Sequence, residues 1–114
     1  MMSLFNWLRA AWSRLRRRSK YSDVRHVRSM SELPEQLGSS IYLVGPDSSP
    51  KWAVMSCPCR CGSRIDVNLM RTRQPHWEVK LEFGAITLRP SLWRPAGQTC
   101  GSHFFVVRNK VRWV

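Results

Sequence analysis

Cys57-Pro58-Cys59-Arg60-Cys61-Gly62 sets three thiols at alternate positions, with a proline between the first two and a glycine directly after the third. The fourth cysteine stands far along the chain, in Cys100-Gly101-Ser102-His103-Phe104. Zinc takes four ligands in a tetrahedron from thiolate and imidazole, and two short clusters remote in sequence can each supply half of such a site. A glycine directly after a ligand lets the backbone curl so that amides point at thiolates, and Gly62 and Gly101 stand at those places. Five residues therefore compete for four positions on Zn2+: Cys57, Cys59, Cys61, Cys100 and His103. One intervening residue is a tight spacing for two ligands on a single ion. This ranks Cys61, Cys100 and His103 first, Cys57 next and Cys59 last. Buried thiols also act as small hydrophobes, but scattered hydrophobes would not gather three within five residues beside a C-x-x-H.

The 114 residues fit one small domain with a tail. Between and beyond the cysteines the chain reads as short strands. Ile41-Tyr42-Leu43-Val44 and Trp52-Ala53-Val54-Met55 are apolar runs bounded by Gly, Pro, Asp and Ser. Residues 65–70 alternate, with Asp66 and Asn68 expected on a solvated face. Residues 76–83 alternate too, with Trp77, Val79, Leu81 and Phe83 on one face. Residues 85–88 form another short strand, and 103–114 read as a hairpin turning near Asn109. Residues 31–114 are therefore expected to be a mostly β, zinc-stabilised domain. Upstream, Leu4, Phe5, Leu8, Ala11, Trp12 and Leu15 recur at helical spacing, with Arg9, Arg14, Arg16 and Arg17 on the other side. Residues 1–30 are thus expected as a basic amphipathic helix over about 4–18 and a polar connector, with an extended piece at Val24–Val27.

The net charge is +12, and residues 1–30 hold eight basic residues against one acid. Such a balance favours an anionic partner. Arg14, Arg16, Arg17, Arg18 and Lys20 are the candidate anion-binding residues. Nucleic acid and an anionic membrane surface are the alternatives to a protein partner, since Trp and Arg on an amphipathic helix suit a lipid interface. No reading motif for nucleic acid accompanies the charge. No apolar run approaches the roughly 18 residues of a membrane span, and the N-terminus departs from a secretory signal because Arg9 interrupts its apolar stretch. The expected location is the cytoplasm, with a peripheral membrane contact as the variant. There, clustered cysteines hold metal more often than disulfides.

Catalytic readings are weaker in the sequence. His76-Trp77-Glu78 matches the opening of a zinc-deaminase signature, but the cysteines that should follow it precede it. Cys100 and His103 could form a nucleophile–base pair, yet both are better used as ligands. Ser91 and Ser102 read as turn residues bonding nearby backbone, and Arg60, Arg64, Arg89 and Arg94 as scattered surface charges. No catalytic residue is assigned, and a binding module is expected rather than an enzyme.

Cys57-Pro58-Cys59-Arg60-Cys61-Gly62, Thr87-Leu88-Arg89-Pro90-Ser91-Leu92 and Cys100-Gly101-Ser102-His103-Phe104, with a terminal Val111-Arg112-Trp113, together resemble a bacterial family of small C-P-C-x-C-G / C-x-S-H-F proteins. The resemblance takes in Gly38–Val44 and Trp52–Met55 and covers about residues 37–114. That family is associated with operons encoding ubiquitin-like modifiers and the enzymes that conjugate or remove them. The resemblance implies an accessory role in a ubiquitin-like conjugation or phage-defence pathway, with protein partners from it, and assigns no activity. Arg60 replaces a common glycine and Ser63 a common acid, which makes the surface near the thiols more basic.

Overall fold

The computed structural model describes residues 17–95, 97 and 99–114. The helix expected over 4–18 lies almost wholly outside the described residues. The rest is two four-stranded sheets. The first contains β1 (Asp23–Val27), β2 (Ser40–Val44), β3 (Trp52–Ser56) and β4 (Arg64–Asn68) in that order. The second contains β5 (Glu78–Glu82), β6 (Ala85–Trp93), β7 (His103–Val107) and β8 (Lys110–Trp113), also in order. All pairings are antiparallel except β1 with β2.

The strands follow from side-chain period. In β7, Phe104 and Val106 are buried while His103, Phe105 and Val107 are not, the alternation of a sheet with one face on the core. In β2 every residue is buried. Ile41 and Leu43 enter the main core, while Tyr42 and Val44 form a second cluster with Val54. Met30, Leu33 and Leu37 of the β1–β2 connection pack against that cluster. Its only regular piece is a 3-10 turn at Met30–Glu32. A continuous apolar run is the signature of a strand covered on both sides.

One main core lies between the sheets. Ile41, Leu43, Ala53, Met55, Ile65 and Val67 from the first meet Ile86, Leu88, Leu92, Phe104, Val106 and Val111 from the second. Two hairpin turns set register in the second sheet. Phe83–Gly84 and Arg108–Asn109 have positive φ at both positions, which matches the twist of the flanking strands. Asn109 then reaches back: Ile86 N donates to its Oδ1 at 2.8 Å, and its own N donates to Ile86 O at 2.9 Å.

Two expectations are corrected, on β5 and at Asn68. The extended piece expected at Val24–Val27 is β1, which starts one residue earlier and joins the sheet through parallel backbone pairing to β2. Before β1, residues 19–21 run beside β8, with Val111 N donating to Ser19 O and Tyr21 N to Asn109 O. This short strap touches both sheets. On β5 only Trp77 and Val79 of the expected apolar face pack on the core; Leu81 and Phe83 are exposed, because the strand runs past the edge of the core into its turn. Asn68 is buried rather than solvated. Its Nδ2 donates to the carbonyls of Met70, Arg73 and Pro75 at 3.0–3.3 Å, and its Oδ1 accepts from Met70 N. It thereby holds the loop that crosses from one sheet to the other.

Phe104, with 0% exposure, touches both layers of the core through its place on β7. Phe104→Ala is expected to lower stability by about 3–5 kcal/mol, read as a shifted urea midpoint with an unchanged m-value.

Candidate metal centre and serine–histidine pair

The four thiols converge at one end of the sandwich. Cys57, Cys59 and Cys61 follow β3 in the turn to β4, and Cys100 precedes β7 in the other sheet. Their sulfurs all lie within 4.8 Å of one another. Cys57 Sγ is 3.4 Å from Cys59 Sγ and 3.5 Å from Cys100 Sγ, and all four cysteines are free. Four sulfurs about 2.3 Å from one tetrahedral ion would be roughly 3.8 Å apart, so the donor set fits a four-thiolate metal. Local backbone makes the turn. Arg60 N donates to Cys57 O and Cys57 N to Ser63 O, while Arg60 and Gly62 adopt φ of 65° and 89°. Cys57 is buried and Cys61 exposed.

The thiols are electrostatically unequal. Burial pushes the Cys57 and Cys59 thiols up. Burial also opposes ionisation of Cys100, but the hydroxyl and amide of Ser102, with the Cys57 and Cys59 thiols, outweigh it and hold Cys100 down at about 6. At Cys61 burial is likewise outweighed, by the hydroxyl and amide of Ser63, and its thiol is lowered. Ser102 Oγ stands 3.2 Å from Cys100 Sγ and 3.9 Å from Cys57 Sγ. Tyr21 packs in the same core and donates its hydroxyl to Ser56 O at 2.7 Å. Burial pushes its phenol far up, which keeps it a neutral donor.

His103, ranked among the first ligands, stands apart from the thiol group. β7 begins at His103, and because Phe104 and Val106 point inward the imidazole lies on the opposite, outward face. Its Nε2 is 2.8 Å from Ser91 Oγ. Cys59, ranked last, is within the four-sulfur cluster. The Cys100–His103 nucleophile pair that the sequence also allowed does not form, since Cys100 contacts Cys57 and Ser102 while His103 meets a hydroxyl.

Ser91 owes its position to a bulge in β6. Leu88 pairs with Val106 and Leu92 with Phe104, so Arg89, Pro90 and Ser91 oppose Phe105 alone. Proline in a strand is tolerated at such a bulge because no ladder donor is lost, and bulges re-aim side chains next to active sites. The bulge frees the Ser91 carbonyl from the ladder, and Trp77 Nε1 donates to it at 3.2 Å. Two residues on, Trp93 pairs with His103 in register, and their ring centroids lie 6.4 Å apart. Ser91 and His103 are both partly exposed. Sequence reasoning missed Ser91 as a functional residue, although the two motifs carrying this pair were both visible.

The other candidates are dispersed. His76 and Glu78 lie outside the thiol cluster and line a cleft on the second sheet. Among the basic residues, Arg14 and Arg16 lie outside the described residues. Arg17 stacks over Trp113 at 4.5 Å, Arg18 over Tyr21 at 5.3 Å, and Lys20 bridges to Lys110. All three are tied to the domain body.

The purified protein is expected to carry one equivalent of a divalent metal by elemental analysis. Cys57→Ser and Cys100→Ser should lose most of it and His103→Ala should retain it. Loss in His103→Ala would return the imidazole to the ligand set.

No curated protein and no solved structure matches the chain significantly. A family model described as the bacterial ubiquitination-like system serine protease, BubE, matches residues 29–114, which span every strand except the first, the whole thiol cluster, Ser91 and His103. A match over that much of the chain is membership: the protein belongs to the BubE family of the bacterial ubiquitination-like system.

Proposed function

We propose that this protein is a serine peptidase acting on a protein of the bacterial ubiquitination-like system, with Ser91 as nucleophile, His103 as general base and a structural Zn2+ held by Cys57, Cys59, Cys61 and Cys100. The observation that carries this reading is the 2.8 Å approach of His103 Nε2 to Ser91 Oγ, the distance at which an imidazole takes a hydroxyl proton. The family description supports the reaction class.

The chemistry follows from the pair. Neutral His103, with its proton on Nδ1, accepts the Ser91 proton at Nε2 as Oγ adds to the scissile carbonyl. The resulting imidazolium then gives that proton to the departing amine as the C–N bond breaks. A water next loses its proton to Nε2 and attacks the acyl carbon, and Ser91 Oγ leaves and recovers the proton. Trp77 holds the Ser91 carbonyl and so fixes the nucleophile's backbone.

Zinc bound by four thiolates has no open coordination position, so its contribution is structural. Its ligand Cys100 is three residues before His103, and Ser102 between them anchors β6 by accepting from Arg94 N at 2.7 Å. A metal held by these thiols would thus fix the segment that presents His103. The expected accessory role is replaced in this reading by a catalytic one, and the module expected around the zinc becomes its scaffold.

A fluorophosphonate probe tests the reading without a known substrate. It should label the wild-type protein once, at Ser91, and leave Ser91→Ala untouched. His103→Ala, with an unchanged circular dichroism spectrum, should label more slowly by about 10²–10⁴-fold. Undiminished labelling of Ser91→Ala would refute the assignment.

A further inference from the structure

The outward face of the second sheet carries a cleft that begins where the serine–histidine pair ends. Its volume is about 590 Å³, and Arg89, Pro90, Phe105, Arg112, His76 and Glu78 are among the residues lining it. Pro90 precedes the nucleophile, and Phe105 lies two residues beyond the base on the same face of β7. The cleft continues along the sheet into a groove that shares Glu78, Thr87, Arg89, Val107 and Arg112 and reaches Lys80, Arg108 and Lys110.

Charge selects what this face would hold. Lys80 and Arg108 are matched by Glu82, at 2.8 and 3.9 Å. Arg89 and Arg112 have no carboxylate within 4.0 Å among the described residues, which include every Asp and Glu of the sequence. Glu78 lies across from Arg89 in register and is the single acid inside the cleft. The apolar floor is supplied by Phe105, 41% exposed, with Pro90 and Val107. Two unmatched guanidiniums in one cleft with an aromatic ring suit an extended peptide whose carboxylates alternate with apolar side chains. Guanidinium forks bind carboxylates in pairs, and a peptide places successive side chains on opposite sides.

We infer that the cleft formed by Arg89, Phe105 and Arg112 is the substrate subsite next to Ser91, and that it takes an acidic, extended peptide segment of the substrate protein. This rests on the peptidase reading for its place beside the scissile bond. The binding itself does not. Arg89 and Arg112 dock the carboxylates, and Phe105 takes the apolar side chain.

The test uses Ser91→Ala protein, in which binding is read without turnover, and fluorescein-labelled ten-residue peptides of alternating Glu and Leu, or of Gln and Leu. Fluorescence anisotropy should show the glutamate peptide binding on the order of tenfold more tightly than the glutamine one. Added Arg89→Glu or Arg112→Glu should remove that preference, while Arg28→Glu, the same charge change in the connection after β1, should keep it. Equal binding of both peptides, or equal loss in the Arg28 variant, overturns the inference. So does a twelve-residue oligothymidylate that binds more tightly than the glutamate peptide with the same dependence on Arg89 and Arg112, since the cleft would then serve nucleic acid. Wild-type protein that fails to react with the fluorophosphonate, while the peptide preference holds, removes the peptidase reading and leaves an acidic-peptide site.

Discussion

Four sulfur atoms from the two halves of this sandwich meet within 4.8 Å at one end, and that meeting ties the residues before β7, and with them His103, to the turn after β3. The main core joins the sheets by apolar packing, which is non-directional and tolerates small slides. A metal–thiolate cross-link does not. It would fix the turn after β3 against the residues that precede β7, and His103 stands three residues beyond Cys100. Structural zinc in small domains contributes about 10–16 kcal/mol to folding, comparable with the whole net stability of a domain of this size. A metal held at this corner would therefore bear on both stability and the approach of His103 to Ser91.

The molecule separates duties that the sequence places side by side. In Cys100-Gly101-Ser102-His103, the first residue joins the sulfur cluster, Ser102 bridges cluster and strand, and His103 turns to the opposite face. With the four thiols gathered in one cluster, the imidazole meets a hydroxyl rather than a sulfur. The inward face of the second sheet is spent on the core, and its outward face carries Ser91, His103 and a basic cleft.

Much of the fold was legible in the sequence. Runs such as Ile41–Val44 and the alternation in 103–107 announced strands because their side chains face a core, and the hairpin at Asn109 announced itself by turn chemistry. The extended piece at Val24–Val27 was legible, but its parallel pairing with β2 was not, because that comes from backbone pairing rather than a side-chain pattern. Thiol clustering was legible from spacing. The ligand ranking was not: C-x-x-H looks like half a metal site until strand alternation is applied from Phe104 backwards, which sends His103 outward. Ser91 was hidden for a different reason. Its role depends on three residues bulging opposite Phe105, a register feature that no local propensity encodes, so a serine after proline read as an ordinary turn residue.

The central claim is that the sulfur cluster is complete without the histidine, which leaves that imidazole free for Ser91. Zinc K-edge X-ray absorption on the purified protein addresses it directly. The account predicts a single shell of four sulfurs at about 2.3 Å. A shell of three sulfurs and one nitrogen at about 2.0–2.1 Å, lost in His103→Ala, would contradict it.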